Sequence, residues 1–359
     1  MSSPGLLYTK FRAILFCCLL ISAPAFADES PARTAPRDLV LLNWSEYLDP
    51  ELVEKFERQF NARVREVYFE SDDLRDDMLL ETEAAGYDLV MTNDVAVDVY
   101  RRRGWLEPVT EKQVPNLRYI DPRWLDAFPG VRGYAVPYFW GTTGIVYRKD
   151  LVDKPMTSWM DLYRPAESLR GKIAMVENSR DLIGMALKAL GYSANSADDK
   201  EIEEAGQLLM AQKPYVADYA ALTLDGDSAL VTGEIAAAIL YSGDALMVQE
   251  FHPDIEYVLP VEGGNIWTDY LVVMKNANDK ELAWAFINFL NEPEHAAQLA
   301  EYVYYATPNR AAEKLLPEEF LTDAVIYPDE VLLEKSEAYA DLPSQAMRKR
   351  NSLFSRVTQ

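Results

Sequence analysis

The sequence has little of the chemistry that metal centres and nucleophilic enzymes need. It contains two cysteines, Cys17 and Cys18, and two histidines, His252 and His295. It has no G-x-S-x-G, H-E-x-x-H or P-loop motif. Both histidines fall in segments that we interpret as loop or exposed helix. The chain therefore offers few of the residues that a zinc site or a Ser-His-Asp triad requires. We therefore expect no catalytic residue, no metal and no cofactor.

Two weaker alternatives use other residues. The adjacent tyrosines Tyr304 and Tyr305 are typical of ferric-ion-binding proteins, but the companion histidine near the first strand is absent. Asp244 and Asp269 could in principle act as the carboxylate pair of a hydrolase, although their spacing does not favour it. We expect a protein that is not an enzyme.

The first residues predict export. Lys10 and Arg12 precede an apolar run at residues 13–21, and residues 25–27 form a small-x-small cleavage site. The run is too short to span a bilayer. Both cysteines lie within it, so removal of residues 1–27 would leave a soluble chain without thiols. We expect a secretory signal peptide and a periplasmic location.

Basic residues are also scarce. The 359-residue chain has 35 Lys and Arg against 58 Asp and Glu, a net charge of −23. Nucleic acid and anionic membrane surfaces are poor partners for such a charge, whereas small polycations are attracted to it. An acidic surface can equally serve solubility alone. A chain of this length is usually too long to fold around a single hydrophobic core, so two lobes are expected.

Strands and helices alternate along the first part of the chain. The apolar pattern predicts strands at 38–43, 64–69 and 87–91, a helix at 50–60, and a second helix capped by Ser71. Strands that alternate with helices at this spacing favour a mostly parallel sheet with right-handed crossovers. The carboxyl ends of these strands should therefore share one edge.

The chain then crosses to a second lobe and returns. Residues 133–147, dense in aromatic and small residues, are predicted to cross between the lobes. A second series includes strands at 172–176 and 236–240, and strand 270–274 returns to the first sheet. The remaining predicted elements are helices at 181–190, 200–212, 280–290 and 294–304, and strands at 215–219 and 255–260.

A cluster of rings, hydroxyl and carboxylate follows the first strand. The segment Trp44-Ser45-Glu46-Tyr47 precedes Asp49, a helix N-cap followed by proline. Open α/β sheets bind ligands at such strand ends. An indole, a phenol and an acid suit an organic cation, and Asn93 or Asp94 should join them from the third strand. The alternative is that Trp44 and Tyr47 only pack the strand–helix junction.

A series of motifs, specific in this order, carries a family resemblance. They are Asn43-Trp44-Ser45-Glu46-Tyr47, Tyr87-Asp88-Leu89-Val90, Pro137-Tyr138-Phe139-Trp140-Gly141-Thr142-Thr143-Gly144, Leu190-Gly191-Tyr192-Ser193, Glu262-Gly263-Gly264, Trp267-Thr268-Asp269, Tyr305-Ala306-Thr307-Pro308-Asn309 and Tyr327-Pro328-Asp329. Over nearly all of the mature sequence, the chain resembles the periplasmic polyamine-binding proteins of the spermidine/putrescine importer family.

The resemblance implies a type II periplasmic binding protein of the α/β class. Its two lobes are joined by two crossover strands and close on an extended ligand. The implied boundaries are a signal peptide at 1–27, lobe 1 at 28–140, lobe 2 at 141–266, a return to lobe 1 at 267–306, and a C-terminal segment at 307–359 that packs on lobe 2.

The resemblance also assigns roles in the cleft. Rings of Trp267, Tyr241 and Tyr305 would contact the methylene stem, and Asp244 and Asp269 would bind ammonium groups. The full set of expected ligand-binding residues is Trp44, Ser45, Glu46, Tyr47, Asn93, Asp181, Tyr241, Asp244, Trp267, Asp269 and Tyr305, with Asp94, Asn178 and Tyr339 as further candidates.

Three positions depart from the family pattern. Asp181 stands where the family has a glutamate, Asn178 where spermidine-preferring members have an aspartate, and Tyr241 where tryptophan is usual. The resemblance therefore implies a linear polyamine of the spermidine, norspermidine or putrescine class without fixing which one.

Two functions share this pocket. The first is a monomeric transport receptor that presents a polyamine to the permease of a membrane ABC importer. The second is a sensor that regulates a membrane signalling protein, for example a cyclic-di-GMP enzyme, and so biofilm formation. They differ in the outer faces of the lobes, which would contact different membrane partners, and a single sequence does not distinguish these partners.

Overall fold

The strands form one mixed sheet. The structure is a computed structural model that describes residues 35–128 and 130–359. The predicted signal peptide, residues 1–27, lies outside the described residues. The strands of the described part are β1 (Arg37–Asn43), β2 (Ala62–Tyr68), β3 (Leu89–Asn93), β4 (Ala135–Arg148), β5 (Ile173–Ala174), β6 (Val216–Asp218), β7 (Ala237–Tyr241), β8 (Ile255–Val258) and β9 (Asn265–Val273). Their order is β2-β1-β3-β9-β4-β7-β5-β6, and β8 pairs with β4.

Helices cover the sheet and follow most of its strands. They are α1 (Pro50–Phe60), α2 (Asp72–Glu81), α3 (Asp94–Arg102), α4 (Pro122–Leu125), α5 (Trp159–Tyr163), α6 (Ser179–Ala189), α7 (Asp199–Gln212), α8 (Ala229–Thr232), α9 (Ser242–Gln249), α10 (Lys280–Leu290), α11 (Pro293–Val303), α12 (Arg310–Glu313), α13 (Glu318–Leu321), α14 (Glu330–Leu333) and α15 (Ser344–Thr358). Short 3₁₀ turns lie at Pro115–Tyr119, Glu167–Leu169 and Lys213–Tyr215. Within the described ranges, no helix combines the length and apolar character that a membrane span needs.

Local sequence signals explain where the first elements begin. Asp49 caps α1 by accepting a hydrogen bond of 2.8 Å from the backbone N–H of Glu51, and proline occupies the first helical position. Ser71 caps α2 in the same way, through the N–H of Leu74 at 3.1 Å. These caps confirm the predicted starts of both helices.

The expectation of a mostly parallel sheet is wrong. β1 pairs in parallel with β2 and β3, and β5 pairs in parallel with β6 and β7. β9 runs antiparallel to β3 and β4, and β4 runs antiparallel to β7 and β8. The antiparallel pairings arise because β4 takes the chain from one lobe to the other and β9 brings it back.

Separate hydrophobic cores define the two lobes. Lobe 1 is built around Leu41, Phe56 and Phe286, together with the neighbouring buried residues of β1, β3, β9 and α10. Lobe 2 is built around Trp159 and Ile239, with a smaller cluster on the other face of its strands. β4 is buried throughout; its first residues pack in the lobe 1 core and its last residues in the lobe 2 cores. The two-lobed α/β architecture is thus formed around two crossing strands.

The structure differs from the sequence expectation at several elements. β5 has only two residues, because the chain leaves the sheet to reach the N-cap of α6. Beyond residue 307 the chain packs on both lobes: Ala312 and Leu316 lie in the lobe 1 core, Leu332 and Leu333 pack against the smaller lobe 2 cluster, and Leu353 of α15 lies in the main lobe 2 core. His295, expected on an exposed helix, is buried, and its Nε2 lies 2.6 Å from Nζ of Lys55. Its ring packs against that of Phe289, with the ring centroids 4.0 Å apart.

Candidate ligand-binding cleft

Strand ends from both lobes bring the candidate residues to one cleft. β1 and β3 end just before the segments that contain Tyr47 and Asp94 in lobe 1, and β7 ends three residues before Asp244 in lobe 2. β9 crosses between them, and its Asp269 pairs with Asn93 of β3. Carboxyl ends of strands in open α/β sheets are the usual place for a ligand.

Tyr47 holds Asp269 in lobe 1. The Tyr47 hydroxyl donates a hydrogen bond of 2.9 Å to Oδ2 of Asp269. Burial raises the pKa of Asp269 to about 7, although the tyrosine hydrogen bond opposes that rise. The acid is therefore oriented by a neutral donor rather than by a hydrogen-bonded cation.

Two tyrosines hold Asp181 in lobe 2. Asp181 is 2 % exposed and accepts hydrogen bonds from the hydroxyls of Tyr339 at 2.7 Å and Tyr241 at 3.0 Å. Burial raises its pKa, and both hydrogen bonds act in the opposite direction. Gly184 lies against the Tyr339 ring, where an added Cβ would come within 3.1 Å of it. The absence of a side chain at Gly184 therefore lets Tyr339 reach the acid.

Tyr339 belongs to a segment that is fixed to lobe 2. Its neighbour Glu337 accepts hydrogen bonds of 3.1 Å from Lys188 Nζ and from the backbone N–H of Ala194. Two residues beyond Tyr339, Asp341 forms an ion pair of 3.3 Å with Arg102 of α3 in lobe 1. The segment therefore contacts both sides of the cleft.

Tyr305 and Asp244 connect the lobes. The hydroxyl of Tyr305, a residue of the lobe 1 core, donates a hydrogen bond of 3.1 Å to Oδ1 of Asp244 on α9. Burial raises the pKa of Asp244 to about 6. Gly243 lies directly under the Tyr305 ring, and any Cβ there would overlap it. Glycine at this position is thus required by close packing.

The rings form a continuous edge-to-face group. Trp267 lies between Tyr305, with centroids 4.8 Å apart and planes at 87°, and Tyr241, at 6.0 Å and 82°. Tyr305 also meets Tyr47 at 6.0 Å and 74°. The indole N–H of Trp267 is buried and has no hydrogen-bond partner in the described part of the chain. Such rings present apolar faces and edges between the three aspartates.

Asp94 is the fourth buried acid of the cleft. It is 8 % exposed, and its side chain accepts a hydrogen bond from the backbone N–H of Val95 at 2.7 Å. Burial raises its pKa to about 7. The preceding Asn93 instead caps α3 through the N–H of Ala96 at 3.0 Å, so the two neighbours have different roles.

Several candidates have local structural partners. Trp44 packs on Phe69, with ring centroids 4.3 Å apart, while Ser45 and Glu46 are exposed. Asn178 caps α6 through the N–H groups of Arg180 at 2.8 Å and Asp181 at 3.3 Å. Trp44 thus packs at the strand–helix junction, and Tyr47 contacts Asp269.

Sequence reasoning missed Asp72. This residue begins α2 and pairs with Arg75, which is 1 % exposed. Its negative charge contributes to the raised pKa of Asp94, Asp181 and Asp269, which places it beside acids from both lobes. The Ser71 cap fixed the start of α2 at the ligand-facing edge and could have drawn attention to the next residue.

The arrangement is suited to holding a cation with an apolar stem. Three buried aspartates are oriented by tyrosine hydroxyls, and aromatic rings lie between them. Among the described residues, no group of three or more histidine, cysteine, aspartate or glutamate side chains is placed to hold a metal ion. Carboxylates and rings without a paired nucleophile favour binding rather than bond breaking.

Known proteins with similar sequences are solute-binding proteins. A spermidine/putrescine-binding periplasmic protein of Salmonella typhimurium is 35% identical over 328 residues, which cover 90% of this chain and 93% of the relative. A norspermidine sensor of Vibrio cholerae is 31% identical over 317 residues, 88% of this chain and 87% of the relative. These relatives are binding proteins rather than enzymes.

Solved structures agree with the two-lobed fold. A spermidine/putrescine ABC transporter substrate-binding protein of Streptococcus pneumoniae superposes with a TM-score of 0.81 at 30% identity, covering 90% of this chain and 100% of that chain. A putative spermidine/putrescine ABC transporter from Listeria monocytogenes gives 0.79 at 34% identity, with 90% and 99% covered. The expected type II fold is confirmed.

The family profile covers most of the chain. The profile of the bacterial extracellular solute-binding proteins matches residues 51–328, which include the cleft residues from α1 to the segment after Tyr305. With the relatives above, this match confirms the expected class of function, a binding protein. The chain belongs to the family of bacterial extracellular solute-binding proteins.

Proposed function

We propose that the protein binds a linear polyamine in the cleft between its lobes. The observation that supports this best is the set of three buried aspartates, Asp181, Asp244 and Asp269, each of which accepts a tyrosine hydrogen bond. None of the three is paired with a basic side chain of the described residues within 4 Å. The cleft therefore keeps negative charge available for a ligand.

The combination of carboxylates and aromatic rings suits an alkyl polyamine. An ammonium group donates hydrogen bonds to carboxylates, and the methylenes between ammoniums contact rings such as Trp267. A charge-assisted hydrogen bond contributes about 1.5–3 kcal/mol, and each buried methylene contributes about 0.8 kcal/mol. After association and ordering costs, the surplus is consistent with a micromolar complex, about −8 kcal/mol.

The names of the relatives support the same ligand class. Besides the spermidine/putrescine-binding and norspermidine-sensing proteins, a putrescine/cadaverine-binding protein of Pseudomonas aeruginosa is 29% identical over 352 residues. Their ligands are di- and triamines with three to five methylenes between nitrogens, and differ little in chemistry. The departures at Asn178 and Tyr241 leave open which of these amines binds most tightly.

Isothermal titration tests the proposal. The protein is partly unfolded to remove copurified ligand, refolded, and titrated with putrescine, cadaverine, norspermidine and spermidine. We expect saturable binding of at least one of them without added metal or nucleotide. Glutamate and maltose serve as anionic and neutral controls. Binding of a control, with no heat from any of the four amines, would contradict the proposal.

The proposed role is that of an exported, monomeric transport receptor. It would close on its ligand in the periplasm and present it to the permease of a membrane ABC importer. Closure follows if the ligand joins Asp269 in lobe 1 to Asp181 and Asp244 in lobe 2, because the closed state then has the higher affinity. No bond in the ligand needs to be broken.

A sensor is the second candidate, and the similarity to the Vibrio cholerae norspermidine sensor favours it. In that role the closed form would regulate a membrane signalling protein with a periplasmic domain. A pull-down of detergent-solubilised membrane proteins with and without polyamine separates the roles. Recovery of a permease supports transport, and recovery of a signalling protein supports sensing.

A further inference from the structure

A pocket in lobe 1 shares no residue with the cleft. It has a volume of about 320 Å³ and lies between α10, Phe60 at the end of α1 and the loop that contains Gln113. Small-molecule sites in proteins typically have volumes of about 300–1,000 Å³. The pocket is therefore large enough to hold a small ligand of its own.

Aromatic rings line this pocket on the side of α10 that faces away from the core. The core-facing side of the helix carries buried residues such as Leu282 and Phe286. A surface helix normally has polar residues on its opposite side, but here Trp284 lines the pocket and is only partly buried. The rings of Phe60 and Phe289 meet edge to face beside it, with centroids 6.4 Å apart. The three rings form an apolar wall that can contact the body of a ligand.

Hydrogen bonds fix the loop against α10. The side-chain oxygen of Asn288 accepts a hydrogen bond of 2.9 Å from the backbone N–H of Asn116, and its backbone carbonyl accepts another of 2.9 Å from the Asn116 amide. Oε1 of Gln113 accepts from the backbone N–H of Thr110 at 2.9 Å and from its hydroxyl at 2.6 Å. The two amide side chains that line the pocket are thus held in place, and the pocket is preformed.

Two carboxylates flank the rings. Glu281 lies in the first turn of α10, and Glu292 follows the end of that helix. Within the described ranges, Glu281 forms no ion pair within 4 Å. Arg37, whose pKa Glu281 helps to raise, is paired with Asp279 at 2.6 Å. The charge of Glu281 is therefore available at one end of the pocket.

Glu292 faces an uncharged histidine at the other end. Its Oε2 lies 3.5 Å from Nδ1 of His295. The ammonium of Lys55 can only donate, so its contact of 2.6 Å makes Nε2 of His295 the acceptor. The ring proton then lies on Nδ1, which is 2.8 Å from the carbonyl oxygen of Phe289. The ring is neutral, so it does not compensate the charge of Glu292.

We propose that this pocket binds a small organic cation with an aromatic or short alkyl body. The ammonium or guanidinium group of the ligand is bound by Glu281 or Glu292, and its body packs against Trp284. The same two carboxylates repel an anion of similar shape. This site is separate from the cleft and does not depend on polyamine binding there.

Isothermal titration with phenethylamine tests the proposal, because this probe combines an aromatic ring with an alkyl ammonium. 3-Phenylpropionate, an anion of similar shape, is the matched probe. We expect the wild type to bind phenethylamine saturably, with a dissociation constant of about 1 mM or lower, and 3-phenylpropionate at least tenfold more weakly. Equal binding of the two probes, or no saturable binding of phenethylamine, would overturn the inference.

Variants locate the probe. Glu281→Gln/Glu292→Gln should weaken phenethylamine binding by about tenfold or more, whereas Glu294→Gln/Glu301→Gln, which removes two exposed charges of neighbouring α11, should change it by less than about twofold. Trp284→Ala should abolish binding and Trp284→Phe should retain it within about threefold, with melting temperatures showing that each variant is folded.

A cleft variant separates this site from the proposed function. Asp244→Asn/Asp269→Asn, which removes the acids that pair with Tyr305 and Tyr47, should bind phenethylamine as the wild type does. Loss of the probe in this variant, with binding retained in Glu281→Gln/Glu292→Gln, would place the probe in the cleft and overturn the inference. Failure of polyamines to bind the wild type would instead contradict the proposed function alone.

Discussion

Polyamine affinity should fall steeply as the pH is lowered from 8 to 5. Asp269 and Asp244, the two cleft acids that pair with Tyr47 and Tyr305, have pKa values raised by burial to about 7 and about 6. A protonated carboxyl cannot serve as the counter-charge of an ammonium. The ligand stays charged over this range, because alkyl ammonium groups titrate near the pKa of lysine, about 10.4.

The size of the decrease in affinity follows from how far the pH lies below the pKa of each acid. Each pH unit below the pKa of an acid lowers the affinity that depends on it by about tenfold. At pH 5 this amounts to about 100-fold for Asp269 and about tenfold for Asp244, or about 1,000-fold together.

Isothermal titration at pH 5, 6, 7 and 8 measures the effect directly. Repeating the titration at pH 6.5 in buffers of different ionisation enthalpy counts the protons that ligand binding releases. Asp269→Asn and Asp244→Asn should each flatten the pH profile, while the exposed Asp227→Asn should not. An affinity that varies by less than threefold across the range would refute the reasoning.

Stability of the ligand-free protein should change in the opposite direction. A carboxyl whose folded pKa exceeds its unfolded value, about 3.9, binds more protons in the folded state between these two pKa values. The contribution of Asp244 and Asp269 to the free energy of unfolding therefore increases as the pH falls from 8 to 5. Comparing the melting temperature of each Asn variant with that of the wild type isolates this contribution.

Three further predictions concern the cleft. Asp244→Asn should weaken polyamine binding by about 10- to 100-fold, as measured by isothermal titration. Asn178→Ala should instead lower the melting temperature through loss of the α6 cap, with little change in affinity. Equal losses of affinity in the two variants would contradict the assignment of Asp244 to the ligand and of Asn178 to the cap. Gly243→Ala should weaken binding more than tenfold by displacing the Tyr305 ring, while Gly226→Ala, where an added Cβ meets its nearest neighbour at 3.5 Å, should not. Small-angle scattering should show a smaller radius of gyration with saturating polyamine, and tight binding without that decrease would exclude lobe closure.

Local signals made much of lobe 1 predictable. The apolar run before Asn43, the Asp49 cap with its proline and the Ser71 cap each depend on neighbouring residues, and the structure places β1, α1 and α2 accordingly. The sequence predicts a longer β5 than the two residues observed, because the apolar run continues after the chain has left the sheet. The relative direction of the strands also could not be predicted from neighbouring residues, because it depends on how β4 and β9 cross between the lobes.

The candidate site likewise depends on contacts between residues that are far apart in the sequence, which neighbouring residues do not predict. That Asn178 caps a helix and Tyr339 reaches a buried acid are facts of geometry; the residue types alone fit either a capping or a ligand-facing role. Asp72 was missed because its importance comes from acids more than 20 residues away in sequence. Pairing of Tyr305 with Asp244 likewise joins residues 61 positions apart. Sequence patterns thus predicted the acids and rings of the candidate site, but not which of them meet.

The position of β9 has a consequence for how the chain folds. β9 is the last strand of the described sequence, yet it lies in the middle of the sheet, between β3 and β4. Until residues 265–273 have been synthesised, β3 and β4 have no common neighbour and each presents an unpaired edge, a known hazard for aggregation. The contacts that close the sheet are long-range, so their formation is slow compared with that of the helices. The sheet that joins the two lobes can therefore be completed only after about three quarters of the chain is available, and a nascent protein has no complete cleft with which to capture a ligand.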